Sequence, residues 1–318
     1  MLIVTGGAGF IGSNIVKELN NIGRTDIIVV DDLTQGEKFL NISDLKIHDY
    51  MDKDDFIEKL KNNHFDLKYI EAVFHEGACS DTTEWNGKFM MENNYEFSKS
   101  IFLKSIERNF QFIYASSASV YGDNTVFYET EKNEKTLNVY AFSKLLFDNF
   151  VRKYLGKIKN QTAGLRYFNV YGPREFHKKT MASVAWHFYN QIKNDGVCRL
   201  FEGIDGYENG GQKRDFVYVK DAVDVNIWLF KNPQISGIFN VGTGLAQTFN
   251  DVANAVIKYM GKGKIEYVSF PDHLKGRYQS YTQADITNLR KAGYSKEFKN
   301  VSQGVKDYLD TINTQKAF

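Results

Sequence analysis

Met1-Leu-Ile-Val-Thr-Gly-Gly-Ala-Gly-Phe-Ile-Gly12 opens the chain and decides its fold. Leu2 to Val4 reads as a short apolar strand, and Phe10 to Leu19 carries the apolar spacing of a helix. Gly6, Gly9 and Gly12 lie between them as G-x-x-G-x-x-G. A strand that turns through glycines into a helix brings backbone N–H groups and the helix N-terminus up to a pyrophosphate, where any Cβ would block the approach. Glycines mark many turns, so the weight here comes from context. Ile27 to Val30 reads as a second strand, and it ends in Asp31-Asp32 about twenty residues on, as a dinucleotide-binding fingerprint requires.

Working outward, strand-like and helix-like stretches alternate. Strands are expected at Leu2–Thr5, Ile27–Asp31, Ala72–His75, Phe112–Ala115 and Thr162–Arg166, and helices at Phe10–Leu19, Lys53–Lys61, Met91–Arg108 and Val139–Tyr154. This predicts an α/β fold, a Rossmann-type doubly wound parallel sheet with a smaller mixed α/β substrate domain. Asp215–Val219 reads as a strand returning to the sheet, followed by a helix at Lys220–Phe230. Gly203 to Gly211 is a turn-rich loop, Thr248-Phe-Asn-Asp251 reads as a capping box, and Asn300–Thr311 as a last helix. The nucleotide domain is expected over 1–167, with about 213–238 and 285–300 returning to it, and the substrate domain over about 168–212, 239–284 and 301–318.

With 318 residues the chain is long enough for a large core, and its 40 Lys and Arg balance 39 Asp and Glu. Nothing in that balance points to a nucleic acid or a membrane partner. Cys79 and Cys198 are the only cysteines, which fits a reducing compartment. A functional strand beginning at residue 2 leaves no room for a signal peptide, so a cytoplasmic protein is expected. His48, His64 and His273 have no metal-ligand spacing, and no metal is expected.

Tyr140-Ala-Phe-Ser-Lys144 carries the second chemical signal. Positions i and i+4 share a helix face, so Lys144 stands one turn from Tyr140. A free phenol titrates at about 10 and is a poor base at neutral pH. A nearby ammonium and the positive ring of an oxidised nicotinamide both favour the phenolate, which then takes a carbinol proton as hydride leaves the carbon. Tyr114-Ala-Ser-Ser-Ala-Ser-Val-Tyr-Gly122 puts hydroxyls at a strand end, where Ser116 or Ser117 is placed to hydrogen-bond the reacting oxygen.

The glycine stretch, the serines and the Tyr140/Lys144 pair together resemble the extended short-chain dehydrogenase/reductase superfamily. Further stretches resemble its ADP-L-glycero-D-manno-heptose 6-epimerases: His75-Glu-Gly-Ala-Cys-Ser80, Thr83-Glu-Trp85, Arg166-Tyr-Phe-Asn-Val-Tyr-Gly-Pro-Arg-Glu175, His177-Lys178, Met181-Ala-Ser-Val-Ala185, Lys213-Arg-Asp-Phe-Val-Tyr218 and Leu274-Lys-Gly-Arg-Tyr278. The resemblance spans almost the whole chain. It implies oxidation of ADP-D-glycero-D-manno-heptose at carbon-6 by a tightly held NADP, then return of the same hydride to the other face. The product would feed lipopolysaccharide inner-core synthesis. Such a cycle needs an acid/base group on each side of the carbinol. Tyr140 serves one, and Lys178 matches the family's second catalytic residue. Without the family, Lys178 reads as a phosphate contact or a solvated charge.

The resemblance points to Ser116 as the hydroxyl partner, whereas an ungapped count back from Val120-Tyr-Gly122 to related sugar epimerases points to Ser117. It assigns Phe10, Ile11, Asp31, Glu76, Gly77, Ala78, Cys79, Ser80, Asn93, Lys144 and Lys178 to the cofactor site. Lys38 and Lys53 match basic contacts to the 2′-phosphate of NADP. Asp32 stands where Asn is common and favours NAD. Asn169, Thr180 (where serine is usual), His187, Phe201, Glu202, Gly203, Ile204, Arg214 and Tyr278 are carried over to the substrate ADP-heptose. The loop before Arg214 is longer than the family pattern. A homo-oligomer such as a pentamer is implied. Two alternatives are weighed. A 4-epimerase gives Lys178 no role, and a non-catalytic nucleotide-binding regulator predicts a damaged Tyr/Lys pair, which is intact here. The related dehydratases carry a carboxylate just before Val-Tyr-Gly, where this chain has Ser117-Ala118-Ser119, so dehydration is not expected.

Overall fold

A computed structural model describes residues 1–64, 67, 69–272 and 279–315. Along the first half run β1 (Leu2–Thr5), α1 (Phe10–Asn21), β2 (Ile27–Asp31), β3 (Asp49–Asp52), α2 (Lys53–Lys61), β4 (Ala72–His75), α3 (Gly87–Met90), α4 (Phe97–Arg108), β5 (Gln111–Ser117), α5 (Val139–Arg152) and β6 (Thr162–Tyr167). The second half adds β7 (Asn169–Tyr171), α6 (Val184–Asp195), β8 (Val197–Phe201), β9 (Lys213–Tyr218), α7 (Val219–Lys231), β10 (Gly237–Val241), β11 (Ala246–Thr248), α8 (Phe249–Met260), β12 (Lys264–Val268), α9 (Thr287–Lys291) and α10 (Val301–Gln315).

Seven strands form one parallel sheet in the order β10-β6-β5-β4-β1-β2-β3. Its central strands are runs of Val, Ile and Phe buried along their whole length, because helices cover both faces. The side chains still alternate. Leu2, Val4, Ile27 and Val29 pack with Ile15 and Leu19 of α1 and Val223 of α7. Ile3, Ile28, Val30 and Phe112 pack with Phe56 of α2, Phe102 of α4 and Phe147 of α5. The strand order reverses between β1 and β4, and ligands of such sheets bind outside the carboxyl ends of the strands at that point. The glycine loop after β1 and the Glu76–Ser80 stretch after β4 leave the sheet on either side of that point.

Three readings change. β3 carries an acid at each end and no apolar run, so the sequence gives no strand signal; its backbone completes the sheet edge beside β2. The helix expected from Met91 begins at Gly87 and passes through a wider turn at Met91–Glu96 before α4. The strand expected to return near Asp215 is β9, which lies instead in a separate three-stranded sheet, β11-β9-β7. The open edge of β6 is taken by β10, with Gly237 opposite Ala163 and Val241 opposite Tyr167, so a boundary near 238 falls inside a main-sheet strand. β8 and β12 pair as a further two-stranded sheet. The capping box forms, with Thr248 and Asp251 bonding each other's backbone at the start of α8.

Candidate active site

The glycine loop folds down on the chain that leaves β4. Gly6 has φ +64°, and a Cβ there would lie 2.7 Å from the Gly77 nitrogen. A Cβ on Gly12 would lie 2.2 Å from the Gly6 carbonyl oxygen. Gly9 precedes α1 as its cap, with Phe10 and Ile11 in the first turn. Such a cradle of backbone at a helix N-terminus fits the pyrophosphate of a dinucleotide. Beside it, Ala8 N donates to Asp31 Oδ2 at 2.8 Å, while Lys38 pairs with Asp31 and donates to the Asp32 carbonyl at 2.8 Å. The Asp32 carboxylate is turned to Thr34, whose N–H lies 2.8 Å away. Those Thr34 bonds, helped by Lys53 and Lys38, hold Asp32 below the usual carboxylate range. Lys53 opens α2 at the same end of the sheet.

The Glu76–Ser80 stretch forms the opposing wall. Gly77 N donates to Thr5 Oγ1 at 3.2 Å, and Thr5 and Ser98 bracket the His75 ring at 2.6 and 2.7 Å. Asn94 clamps Cys79 by both ends of its amide, at 2.8 and 2.9 Å. Asn93, the neighbour singled out from sequence, bonds the Phe89 carbonyl of its own helical turn at 2.8 Å. Sequence reasoning missed Asn94; the Asn93-Asn94 doublet inside the expected helix was the available signal.

Asn138 caps α5 by accepting from Ala141 N at 2.8 Å, which sets Tyr140 in the first turn and Lys144 one turn on. Ser117, the last residue of β5, hydrogen-bonds the Tyr140 hydroxyl. Ser116 points the other way and donates to Asp148 Oδ2 at 2.9 Å. There it joins a buried network in which Arg166 meets Asp148 at 2.9 Å and Glu134 at 2.6 Å. Adjacent residues of a strand face opposite sides, so only one of the two serines reaches Tyr140. Lys144 Nζ donates to the Ala115 carbonyl at 2.8 Å. No hydrogen bond joins Lys144 to Tyr140 among the described residues; the ammonium stands one turn from the phenol on α5, as expected, anchored on Ala115. Burial pushes the Tyr140 phenol up, opposed by Ser117. Burial also pushes Lys144 down to about 8, against the pull of Glu76 and Asp148. Glu76 is pushed up to about 7 by burial, against a 2.9 Å hydrogen bond from Tyr167 and the charge of Lys144.

Lys178 reaches the site from a different direction. It stands on a short turn, Phe176–Met181, in which Lys179 takes φ 52°, a left-handed value costly for a residue with a Cβ. Its ammonium lies 5.1 Å from the centre of the Phe10 ring, at the glycine loop. Burial pushes its pKa down, opposed by the charge of Glu175. Glu175, which the sequence reading quoted without a role, is fully buried and accepts from Ser183 N at 2.6 Å and Ser183 Oγ at 2.7 Å, closing the turn onto the start of α6.

Of the expected substrate residues, Asn169, Phe201 and Arg214 lie on the smaller sheets, Glu202, Gly203 and Ile204 follow β8, Thr180 lies on the Lys178 turn and His187 on α6. Asn169 is exposed on β7 and Arg214 is buried on the neighbouring β9, its guanidinium 5.8 Å from the Phe249 ring. His187 Nε2 lies 3.3 Å from the Thr180 carbonyl. Phe201 ends β8, and Glu202 N donates to the Val268 carbonyl at 2.8 Å. Gly203 N donates to Asn209 Oδ1 at 2.9 Å, and Tyr207 N to the Ile204 carbonyl at 3.0 Å, so the long loop folds back on itself. A Cβ on Gly203 would lie 1.9 Å from the Tyr207 carbonyl oxygen. Tyr278 lies outside the described residues. No cluster of metal-ligating side chains occurs among the described residues.

Comparison with known proteins agrees with this picture. Residues 2–242 match the NAD dependent epimerase/dehydratase family. A relative from Alkalilimnicola ehrlichii, named ADP-L-glycero-D-manno-heptose-6-epimerase, is 58% identical over 98% of this chain and 97% of its own. The crystal structure of the Helicobacter pylori ADP-L-glycero-D-manno-heptose-6-epimerase superposes with TM-score 0.84 at 32% identity, covering 98% of this chain and 96% of that one. The UDP-glucose 4-epimerase of Thermotoga maritima, solved with UDP-glucose, superposes with TM-score 0.81 at 28% identity over 99% of both chains.

Proposed function

The chain belongs to the NAD dependent epimerase/dehydratase family and, within it, to the ADP-L-glycero-D-manno-heptose-6-epimerases, and from that premise we propose how its residues act. The reaction is the interconversion of ADP-D-glycero-β-D-manno-heptose and ADP-L-glycero-β-D-manno-heptose, an isomerisation that serves lipopolysaccharide inner-core synthesis. The Gly6–Gly12 cradle would hold the pyrophosphate of a nicotinamide dinucleotide, which would supply the hydride acceptor and donor. Tyr140, hydrogen-bonded by Ser117, takes and returns the carbinol proton on one side of carbon-6. Lys178 handles the proton on the other side. Its depressed pKa suits it to both giving and taking, and its seat on Phe10 puts it beside the cofactor loop. Lys144 holds the end of β5 through Ala115 and lends positive charge to the pocket. The observation that carries the reading is that Lys178 stands on the Phe10 ring at the glycine loop, while Tyr140 shares its surroundings with Glu76 and Cys79 on the chain that packs against Gly6. The 4-epimerase alternative has no work for Lys178.

We assign NADP rather than NAD. Asp32 is engaged by Thr34, and Lys38 and Lys53 both lend positive charge to that carboxylate at the end of β2, where a 2′-phosphate needs cations. ADP-heptose is placed against Asn169, Thr180, His187, the Phe201–Ile204 stretch, Arg214 and Tyr278, in a substrate domain assembled from segments after the main-sheet strands. The enzyme is assigned as a cytoplasmic homo-oligomer; among the described residues no helix is long and apolar enough to cross a membrane, and both cysteines are free. The test is to incubate the purified protein with ADP-D-glycero-β-D-manno-heptose without added cofactor and resolve the epimers by chromatography. A mixture of both epimers is expected. No conversion, even after NADP and NAD are added separately, overturns the heptose assignment.

A further inference from the structure

The turn that carries Lys178 is tied to the glycine loop by side chains that no step above uses. Asn41 is fully buried at the end of the Gly36–Asn41 turn. Its Nδ2 lies 3.0 Å from the carbonyl of Ala8 in the glycine loop, 3.1 Å from the carbonyl of Arg174 and 3.1 Å from His177 Nδ1. Two carbonyls fix which end of the amide is the nitrogen, since the oxygen there would face two like dipoles. The Asn41 Oδ1 is left buried without a hydrogen-bond partner. Parallel ties run alongside. Asn14 of α1 donates to the Phe10 carbonyl at 2.9 Å and the Pro173 carbonyl at 3.0 Å. Arg174 donates to the Asn41 carbonyl and forks onto Asp44 at 2.7 and 2.8 Å. His177, next to Lys178, is held neutral by burial and by the charges of Lys38 and Lys178, so its ring nitrogen is available as an acceptor.

We propose that Asn41 is a positioning residue that registers the Lys178 turn on the glycine loop, so that the second acid/base group takes its place from the cofactor's own cradle. Cofactor seating and proton transfer at one face of carbon-6 are thereby coupled. The Tyr140 face, built on α5 and β5, is independent of this tie. The inference rests on Lys178 as the second acid/base group.

The test uses the NADP-loaded enzyme and Asn41→Leu, which keeps the branched shape and removes the donor. Single-turnover reduction of the bound cofactor is measured from each heptose epimer separately. The epimer whose carbinol faces Lys178 is expected to slow by at least about tenfold, and the other to stay within about twofold, since small misplacements cost reaction rate steeply. A general loss of structure slows both. Equal slowing, or none, overturns the proposal. If Asn41→Leu does not fold, Asn14→Ala cuts the parallel tie and carries the same expectation. A second readout needs no substrate. NADP is expected to protect the Lys178–Lys179 bond region of the wild type from trypsin, and Asn41→Leu to lose that protection while still binding NADP. Unchanged protection overturns the proposal. If neither epimer reduces the wild-type cofactor, the heptose reading fails, and the trypsin comparison still decides this one.

Discussion

Tyr140 stands in the first turn of a 14-residue helix capped by Asn138 and packed through Phe147 and Val151 against the sheet. Lys178 stands on a six-residue turn with a strained Lys179, held by Glu175, Asn41, Asn14 and Arg174. The first group is placed by regular secondary structure, whose geometry the backbone itself enforces. The second is placed by individual side-chain bonds, each of which one substitution removes. A site that works on both faces of one carbon needs groups from two directions, and a single helix supplies only one. The difference also has an electrostatic side. Tyr140 shares its surroundings with Glu76, Lys144 and Cys79, whereas at Lys178 the charge of Glu175 acts against burial.

The largest expected effects test that both sides are needed. Lys178→Met and Tyr140→Phe should each lower epimerisation by about 10²- to 10⁴-fold, the usual worth of a positioned acid/base group, with cofactor still bound. Steady-state turnover and the absorbance of retained cofactor check this, and normal turnover of Lys178→Met would remove the two-group account. Next comes the serine pair. Ser117→Ala should lower turnover by about tenfold or more, since it removes the hydroxyl that bonds Tyr140. Ser116→Ala should leave turnover nearly unchanged but cost about 1 kcal/mol in urea unfolding, because its loss strips a hydrogen bond from buried Asp148. The opposite ranking would place the wrong hydroxyl in the site.

Glu76 sharpens the electrostatic side of the comparison. Its carboxyl is raised from the ordinary 4.5 to about 7, so between those values the folded protein holds a proton that the unfolded chain releases. Stability from this group is present below 4.5 and is lost as pH rises through about 7. Glu76→Gln should remove that slope and gain on the order of 2 kcal/mol relative to wild type between about pH 4 and pH 8, read from unfolding midpoints. Parallel pH profiles would show that the carboxyl is not held this way. The smallest effect belongs to Asp32→Asn. Partly exposed charges are worth little, so the preference for NADP over NAD should rise only about threefold, measured by cofactor titration.

These same contrasts explain what the sequence disclosed. Helix and strand periodicity placed β1, α1, β2 and β4, and i to i+4 spacing placed Lys144 relative to Tyr140. β3 stayed hidden because an edge strand held by backbone pairing needs no apolar run. β9 was read as a strand but assigned to the wrong sheet, since a short apolar run does not say which edge it will join. Ser116 and Ser117 were inseparable because a one-residue slip inverts the face of a strand. Asn94, Glu175 and Asn41 act through contacts between segments far apart in the chain, and polar residues of that kind look in sequence like solvated surface. Lys178 itself was legible only through family resemblance, because a turn has no period to betray it.

The most direct test of two-sided oxidation and return is to run the wild-type reaction in D2O and read carbon-6 of the product by NMR and mass. The account predicts that the product keeps its original hydrogen at carbon-6, because the same hydride leaves one face and returns to the other. Solvent deuterium appearing at carbon-6 during epimerisation would contradict it.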